Sequence, residues 1–156
     1  MSRTRASVSP AERVLVLRRI PLFAELAPAD LRSVAEIAEE RAFGDGAVIA
    51  TEGEIGDELH IVLAGTIAVV RGEGAREATV ARRGEGEVVG EMSILTNAPR
   101  VASLVAEGDV RALRIGRREF VSMLRERPDV AVATMRVLAE RLAALTAELE
   151  AGRGGA

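Results

Sequence analysis

The residues best suited to chemistry lie at positions 90–103, which read Gly-Glu-Met-Ser-Ile-Leu-Thr-Asn-Ala-Pro-Arg-Val-Ala-Ser. Gly90 precedes a predicted short helix, whose free N-terminus would offer backbone N–H groups and a positive dipole end to an anion. Arg100 can bind the same anion through two fixed N–H donors. The Glu91 carboxylate can accept hydrogen bonds from the hydroxyls of a sugar. A phosphate and a ribose held side by side indicate a nucleotide site.

The basic and aromatic residues exclude several other kinds of site. All 21 basic residues are arginine, which rules out a P-loop and Schiff-base chemistry because both need a lysine. The chain has no tryptophan or tyrosine and only three phenylalanines, so little is available to stack on nucleic-acid bases. The net charge of −3 also argues against a broad footprint on nucleic-acid phosphates. We therefore expect no direct binding to nucleic acid.

Length and hydrophobic content predict one folded domain. A chain of 156 residues with 48% hydrophobic residues can build a single core. No apolar run approaches the roughly 20 residues that span a bilayer, and the first residues lack the apolar block of a secretory signal. With no cysteine, neither a disulfide nor a thiolate metal site can form. We expect a cytoplasmic protein with no membrane segment.

The pattern along the chain predicts helices at both ends of a β-rich region. Residues 1–8 are predicted to be flexible, and residues 9–40 to form two helices, 10–19 and 28–40, the first with a capping box between Ser9 and Glu12. Short β-branched runs separated by glycine-bearing turns fill residues 41–115 and are typical of a β-sandwich or barrel. The runs are 48–50, 60–63, 66–70, 78–81, 88–89, 102–105 and 110–115. Residues 117–150 are predicted to be helical, as 117–125 and 129–149, and residues 151–156 to be a disordered tail.

The last predicted helix carries apolar residues at the spacing of a heptad seam. They are Ala131, Met135, Leu138, Leu142, Leu145 and Leu149. Three interpretations fit this row: packing against the chain's own β-region, a homodimer interface, or a lid over the nucleotide. The row is short for an independent coiled coil, so pairing would need help from the β-region.

The 90–103 stretch resembles the phosphate-binding cassette of cyclic nucleotide-binding domains, in which Gly-Glu and a short apolar turn are followed by Pro-Arg, a small residue and Ala. The resemblance covers about residues 15–148 and includes Ile20-Pro21-Leu22-Phe23, Glu52-Gly53, Gly56-Asp57 and the run 61–65. It implies a mainly β fold with flanking helices: an eight-stranded jelly-roll β-barrel with N-terminal helices, a short cassette helix and C-terminal helices. It also implies a regulatory sensor, not an enzyme. The implied ligand-binding residues are Gly90, Glu91, Met92, Pro99, Arg100, Val101 and Ala102.

The same resemblance implies roles for these residues. Arg100 would pair with the cyclic phosphate, Glu91 would receive the ribose 2′-hydroxyl, and Pro99 would fix the backbone before the arginine. Members that prefer cGMP often carry a hydroxyl after the arginine, and Val101 has none, so cAMP is favoured over cGMP. Valine is also larger than the residue usual there, so its methyl groups could crowd the phosphate.

The resemblance further implies that the C-terminal helices rearrange when the nucleotide binds. Many relatives cover the purine with an aromatic side chain from the last helix, and this helix has none. The lid candidates are Arg141, through a cation–π contact, and Leu138, Leu142 or Leu145 through apolar contacts. Transcription factors of the family continue into a helix-turn-helix beyond this point. We expect either a stand-alone sensor or a regulatory domain whose effector lies elsewhere.

Two other classes of protein fit parts of the sequence. A metal-dependent jelly-roll enzyme needs several histidines around one ion, but the chain has one, His60, whose place in a β-run favours a structural role. We expect no metal and no cofactor. A relative that has lost nucleotide binding and acts as an interaction or dimerisation module is the second alternative. Val101 and the missing aromatic lid favour it, while Glu91 and Arg100 argue against it.

Overall fold

Two helices begin the part of the chain that the computed structural model describes, residues 9–154. Helix α1 spans Pro10–Arg18 and helix α2 spans Pro28–Ile37. The predicted capping box is confirmed: the Ser9 hydroxyl accepts from the Glu12 amide and the Ser9 amide donates to the Glu12 carboxylate, both at 3.2 Å. The predicted flexible segment 1–8 lies outside the described residues.

Helix α2 ends three residues before the predicted limit at residue 40. Ala38 leaves the helical conformation, with φ −88° and ψ 136°, and is 2% exposed. The next residues, Glu39–Phe43, form strand β1 and pair with a strand much later in the chain. Pairing with a distant strand has overridden the local helical pattern, so residues 39 and 40 belong to the sheet.

All six strands belong to one antiparallel sheet. They are β1 Glu39–Phe43, β2 Val48–Ala50, β3 Glu58–Arg71, β4 Ala78–Arg83, β5 Val88–Val89 and β6 Ser103–Gly116. Strands β3 and β6 pair along their whole length and form the centre of the sheet. Beside one half of this pair lie β1 and β5, and beside the other half lie β2 and β4. The fold is therefore mainly β with flanking helices.

The predicted eight-stranded barrel is wrong in strand number and closure, because the described residues form an open six-stranded sheet. The runs 60–63 and 66–70 are parts of β3, and the runs 102–105 and 110–115 are parts of β6, except residue 102. Gly65 takes φ +91° inside β3, where the β3–β6 register shifts, so it makes a bulge instead of a turn. A side chain there would also collide with the backbone, because a Cβ would lie 2.4 Å from the Asp109 carbonyl oxygen.

The buried apolar residues form two clusters. The larger joins α1 and α2 to the β1–β5 half of the sheet and to the helices after β6; it includes Leu17, Phe23, Leu31, Ile61 and Phe120. The smaller extends across both halves of the sheet and contains Val62, Ile67, Val89, Leu104, Ala106 and Val110. The cassette lies where β5 ends, close to both clusters.

Residues 9–154 also contain a short 3-10 helix, Gly74–Arg76, and three further α-helices: α3 Glu91–Thr96 after β5, and α4 Arg117–Glu126 and α5 Pro128–Gly154 after β6. Since α5 reaches Gly154, the predicted disordered tail is wrong for residues 151–154, and residues 155–156 lie outside the described part. No helix between residues 9 and 154 is long and apolar enough to cross a membrane.

Helix α5 packs on the rest of the molecule mainly through its first turns. Val130 is fully buried and Thr134 is 4% exposed, whereas much of the predicted seam faces outward. The exposed members of the seam are Met135, Leu142, Leu145 and Leu149, at 52–64% exposure. Packing against the chain's own sheet therefore explains the beginning of α5 but not its apolar row.

Candidate functional site

The cassette begins at Gly90, which caps α3 in a left-handed conformation with φ +87°. A Cβ at this position would lie 3.0 Å from Arg100 Nη1 and 3.1 Å from the Glu58 carbonyl oxygen. Glycine is therefore required both by the backbone conformation and by the space beside the arginine. Glu91 follows as the first residue of α3.

Arg100 is held from both its backbone and its side chain. Its amide donates to the Glu54 carbonyl and its carbonyl accepts from the Gly53 amide, each at 2.8 Å, so the 53–54 turn fixes its position. Its Nη2 donates to the Glu58 carbonyl oxygen at 2.9 Å. The residue is only 8% exposed, and it makes no ion pair with any carboxylate in the described part of the chain.

Burial lowers the pKa of Arg100, against the opposing effect of Glu58, Asp57 and Glu54. The guanidinium nevertheless stays charged, as arginine does in proteins. The Glu58 carboxylate does not neutralise it, since that group binds Arg114 Nε and raises the pKa of Arg114. The site thus contains a buried positive charge without a directly bound counter-ion.

Glu91 is 5% exposed and is bound by an arginine from the last helix. Arg141 donates through Nη1 to Glu91 Oε1 and through Nη2 to the Val88 carbonyl oxygen, the latter at 2.7 Å. The second carboxylate oxygen, Oε2, takes no hydrogen bond from the described residues. Helix α5 therefore reaches the cassette through one side chain, and one oxygen of Glu91 stays available.

These groups surround a cavity of about 120 Å³. It is lined by Val69, Arg83, Val88, Val89, Gly90, Glu91, Met92, Ser93, Arg100, Val101, Ala102, Leu104 and Arg141. Six of the seven predicted ligand residues are in this lining. Pro99 is the exception: it is exposed and forms a β-bridge with Ile55. Among the lid candidates Arg141 lines the cavity, and Leu138, Leu142 and Leu145 do not.

Several lining residues were absent from the sequence prediction. The most notable is Arg83, the last residue of β4, because the predicted strand stopped at residue 81. Its alternation with Ala81 along the strand was the signal that could have placed it on the inner face. Val69 and Leu104, which are register partners on β3 and β6, were predicted as strand residues without a role in the site.

The far end of the cassette helix is attached to α4. Asn97 caps α3 with φ 54°, a conformation that asparagine tolerates better than most residues. The Arg117 side chain donates to the Asn97 side chain and, at 3.2 Å, to the Ser93 carbonyl oxygen. Its amide donates to the Asp57 carbonyl at 2.6 Å. The first residue of α4 is therefore bonded directly to the cassette.

His60 lies on β3 next to the cassette, opposite Val89 in the sheet, and is 1% exposed. Its ring packs edge-on against Phe43, and its Nδ1 has no hydrogen-bond partner among the residues that the structure describes. Burial lowers its pKa to about 4, with Glu58 opposing the shift. The described residues contain no group of three or more His, Asp or Glu side chains placed to hold a metal ion.

Comparison with known proteins identifies the family. Residues 40–127 match the model of the cyclic nucleotide-binding domain. The chain is 34% identical over 131 residues to the cyclic AMP receptor protein of Thermus thermophilus. The matched region covers 83% of this chain and 61% of that protein. The crystal structure of the T. thermophilus catabolite activator protein matches with a TM-score of 0.75 at 34% identity, over 83% of this chain and 62% of the other. The chain belongs to the cyclic nucleotide-binding domain family, and it spans less than two thirds of the receptor protein's length.

Other members with similar structures differ in their ligands. The regulatory subunit of a cAMP-independent protein kinase A from Trypanosoma brucei has a TM-score of 0.73 at 30% identity, over 82% of this chain and 45% of the other. Its counterpart from Trypanosoma cruzi, solved with bound guanosine, has a TM-score of 0.73 at 26% identity, over 81% and 45%. Membership of the family therefore does not by itself specify the ligand.

Proposed function

We propose that this chain binds a cyclic nucleotide, cAMP in preference to cGMP, as a non-catalytic regulatory sensor. The observation that carries this proposal is the buried Arg100 guanidinium, which lines a cavity and has no carboxylate bound to it. A buried charge is costly unless it is paired. An anionic ligand would supply the missing partner.

The other groups of the cavity suit the rest of the ligand. Glu91 Oε2 is available to accept a hydrogen bond from a ribose 2′-hydroxyl, while Oε1 stays with Arg141. Gly90 leaves room for a phosphate close to Arg100, since a side chain there would crowd the guanidinium. Val101, 63% exposed at the edge of the cavity, has no hydroxyl to offer a guanine, which favours cAMP.

Rearrangement of the C-terminal helices would accompany binding. The cavity of about 120 Å³ is smaller than the 300 Å³ or more usual for ligand sites, so we expect it to widen when a nucleotide binds. Arg141 forms one wall and connects α5 to Glu91, so a shift of α5 would enlarge the cavity. Binding energy can drive this shift only if the ligand makes better contacts in the shifted state.

Calorimetric titration of cAMP and cGMP into the whole chain tests the proposal, with adenosine and guanosine as ligands that lack the phosphate. We expect cAMP to bind more tightly than cGMP, and both nucleosides to bind more weakly than their cyclic phosphates. Arg100→Gln should weaken cAMP binding by about 2–5 kcal/mol, the usual loss for breaking a desolvated charge pair.

The matched control is Arg82→Gln, since Arg82 is an exposed arginine that binds Glu107 on the outer face of the sheet. We expect this variant to bind cAMP like the wild type. Equal cAMP affinity in the wild type and Arg100→Gln would remove Arg100 from the site. Tighter binding of guanosine than of either cyclic nucleotide would place this chain with the guanosine-binding relative.

Association through α5 is a second candidate role, either as a homodimer or with an effector elsewhere. The apolar residues Met135, Leu142, Leu145 and Leu149 are more than half exposed on one helix, where a second helix could cover them. This role is compatible with nucleotide binding. It would stand alone only if no cyclic nucleotide binds.

A further inference from the structure

Arg83 lies on the inner side of the sheet. In the β3–β4 register it is opposite Ile67, and directly opposed residues of an antiparallel pair point to the same face. Ile67 is fully buried in the smaller apolar cluster. An arginine on this face is unusual, because charged side chains seldom border an apolar interior; the Arg83 side chain is 30% exposed, and Glu87 is its charged neighbour.

The donors of Arg83 are largely unused. Its only contact with a charged group among residues 9–154 is with Glu87, and the Nη1–Oε2 distance of 3.8 Å is too long for a hydrogen bond. The other carboxylate oxygen of Glu87, Oε1, accepts from the Gly84 amide at 3.2 Å. The preceding residue, Arg82, shows the contrast: it faces outward, and its Nε binds the Glu107 carboxylate at 2.9 Å.

The two ends of the cavity differ in chemistry. Gly90, Glu91 and Arg100 form the polar end, where a phosphate and a ribose would bind. Arg83 lies at the other end, in the β2–β4 half of the sheet, which also contributes Val69 and Leu104 to the lining. Apolar walls with a single charged group are suited to a flat heteroaromatic ring.

We propose that Arg83 contacts the base of the bound nucleotide and makes the site selective for purines over pyrimidines. A planar guanidinium interacts favourably with an aromatic face and can donate to ring nitrogens. Purines offer a larger face and an N7 acceptor that pyrimidines lack. This contact would replace the aromatic lid that α5 does not provide. The inference rests on the proposed function, because it needs a nucleotide in the cavity.

Calorimetric titration of cAMP and cCMP into the whole chain tests this inference. Arg83→Met keeps the apolar stem and removes the planar cation, and we expect it to weaken cAMP about tenfold, the upper range of one cation–π contact, with cCMP affinity within about twofold of wild type. Arg83→Lys keeps a cation but removes the planar group and its fork of donors, so it should lose less purine preference than Arg83→Met. The control Arg82→Met should bind both nucleotides like the wild type.

The outcomes separate this inference from the proposed function. Equal weakening of cAMP and cCMP in Arg83→Met would show a general charge effect and overturn the base contact. Unchanged binding of both nucleotides in that variant would overturn it as well. If the wild type binds neither nucleotide, the proposed function itself is wrong, and the inference falls with it.

Discussion

The surroundings of Arg100 favour a binding role over a structural one, because a buried charge without a bound carboxylate is unfavourable for the stability of the fold. The residue is 8% exposed, and the one hydrogen bond that its side chain makes to residues 9–154 runs from Nη2 to the Glu58 carbonyl oxygen. A net hydrogen bond contributes about 0.5–1.5 kcal/mol, while burying a charge that no carboxylate binds directly costs several.

We therefore predict that Arg100→Met raises the free energy of unfolding by about 1 kcal/mol in the absence of ligand, while cAMP binding is lost. Urea unfolding monitored by circular dichroism measures the first effect, and calorimetry the second. A loss of stability of more than 1 kcal/mol would identify Arg100 as a structural residue.

His60 makes stability depend on pH. Because burial lowers its pKa to about 4, the imidazole stays neutral in the folded chain between about pH 4 and 6.5, where the unfolded imidazole takes up a proton. The unfolded state then binds more protons, so stability falls as the pH decreases through this window. The free energy of unfolding falls by about 3 kcal/mol in total, at 1.36 kcal/mol for each unit by which the pKa differs between the folded and unfolded states.

Urea unfolding at pH 7, 6 and 5 should therefore show a decline for the wild type that is absent in His60→Leu. Glu58, Arg100, Arg114 and Arg41 also act on this imidazole. The prediction therefore concerns the difference in the free energy of unfolding between the wild type and His60→Leu at each pH. Parallel curves for the two proteins would show that His60 does not titrate in this range.

At the scale of elements, the contact between α5 and the cassette depends on one arginine. Arg141→Met leaves the Glu91 carboxylate buried without its partner, so we predict a loss of about 1–3 kcal/mol in the free energy of unfolding and faster amide exchange in the middle of α5. The matched control is Arg136→Met on the same helix. Its ion pair with Glu25 is exposed, 57% and 82%, and should contribute less than about 0.5 kcal/mol. Similar losses in both variants would contradict a specific role for Arg141.

The sequence predicted most elements but not how the longest strands continue. Helix α1 and its capping box depend on neighbouring residues and were predicted closely. The sequence pattern predicted the runs 60–63 and 66–70 separately, whereas pairing between β3 and β6 joins them into one strand with a bulge at Gly65. The same non-local pairing converts residues 39–40 from helix to strand. Local patterns do not contain this information.

At the scale of the molecule, the exposed apolar row of α5 predicts association. We expect the chain to be dimeric by sedimentation at tens of micromolar, and the double variant Leu142→Glu/Leu149→Glu to be monomeric with an unchanged melting temperature, since both side chains are more than 60% exposed. Val80→Glu, an exposed position on β4, is the control and should stay dimeric. An identical mass for the wild type and the double variant would exclude this surface.

The candidate site was predictable in its cassette and not in its surroundings. Gly90, Glu91 and Arg100 lie within eleven consecutive residues, so their spacing was visible. The bond from Arg141 to Glu91 joins residues 50 positions apart, and the bond from Arg100 to Glu58 joins residues 42 apart. All 21 basic residues share one side chain, so composition could not show which arginines meet in the cavity. Only the fold distinguishes Arg83 from Arg82.

The bonds from Arg117 to Ser93 and Asn97 connect the cassette to α4 without involving α5. They fasten the middle and the end of the cassette helix to the first residue of α4. We therefore expect a displacement of the cassette to move α4 even when α5 is shortened or captured by another protein. Loss of the long helix would then leave the contact through Arg117 in place.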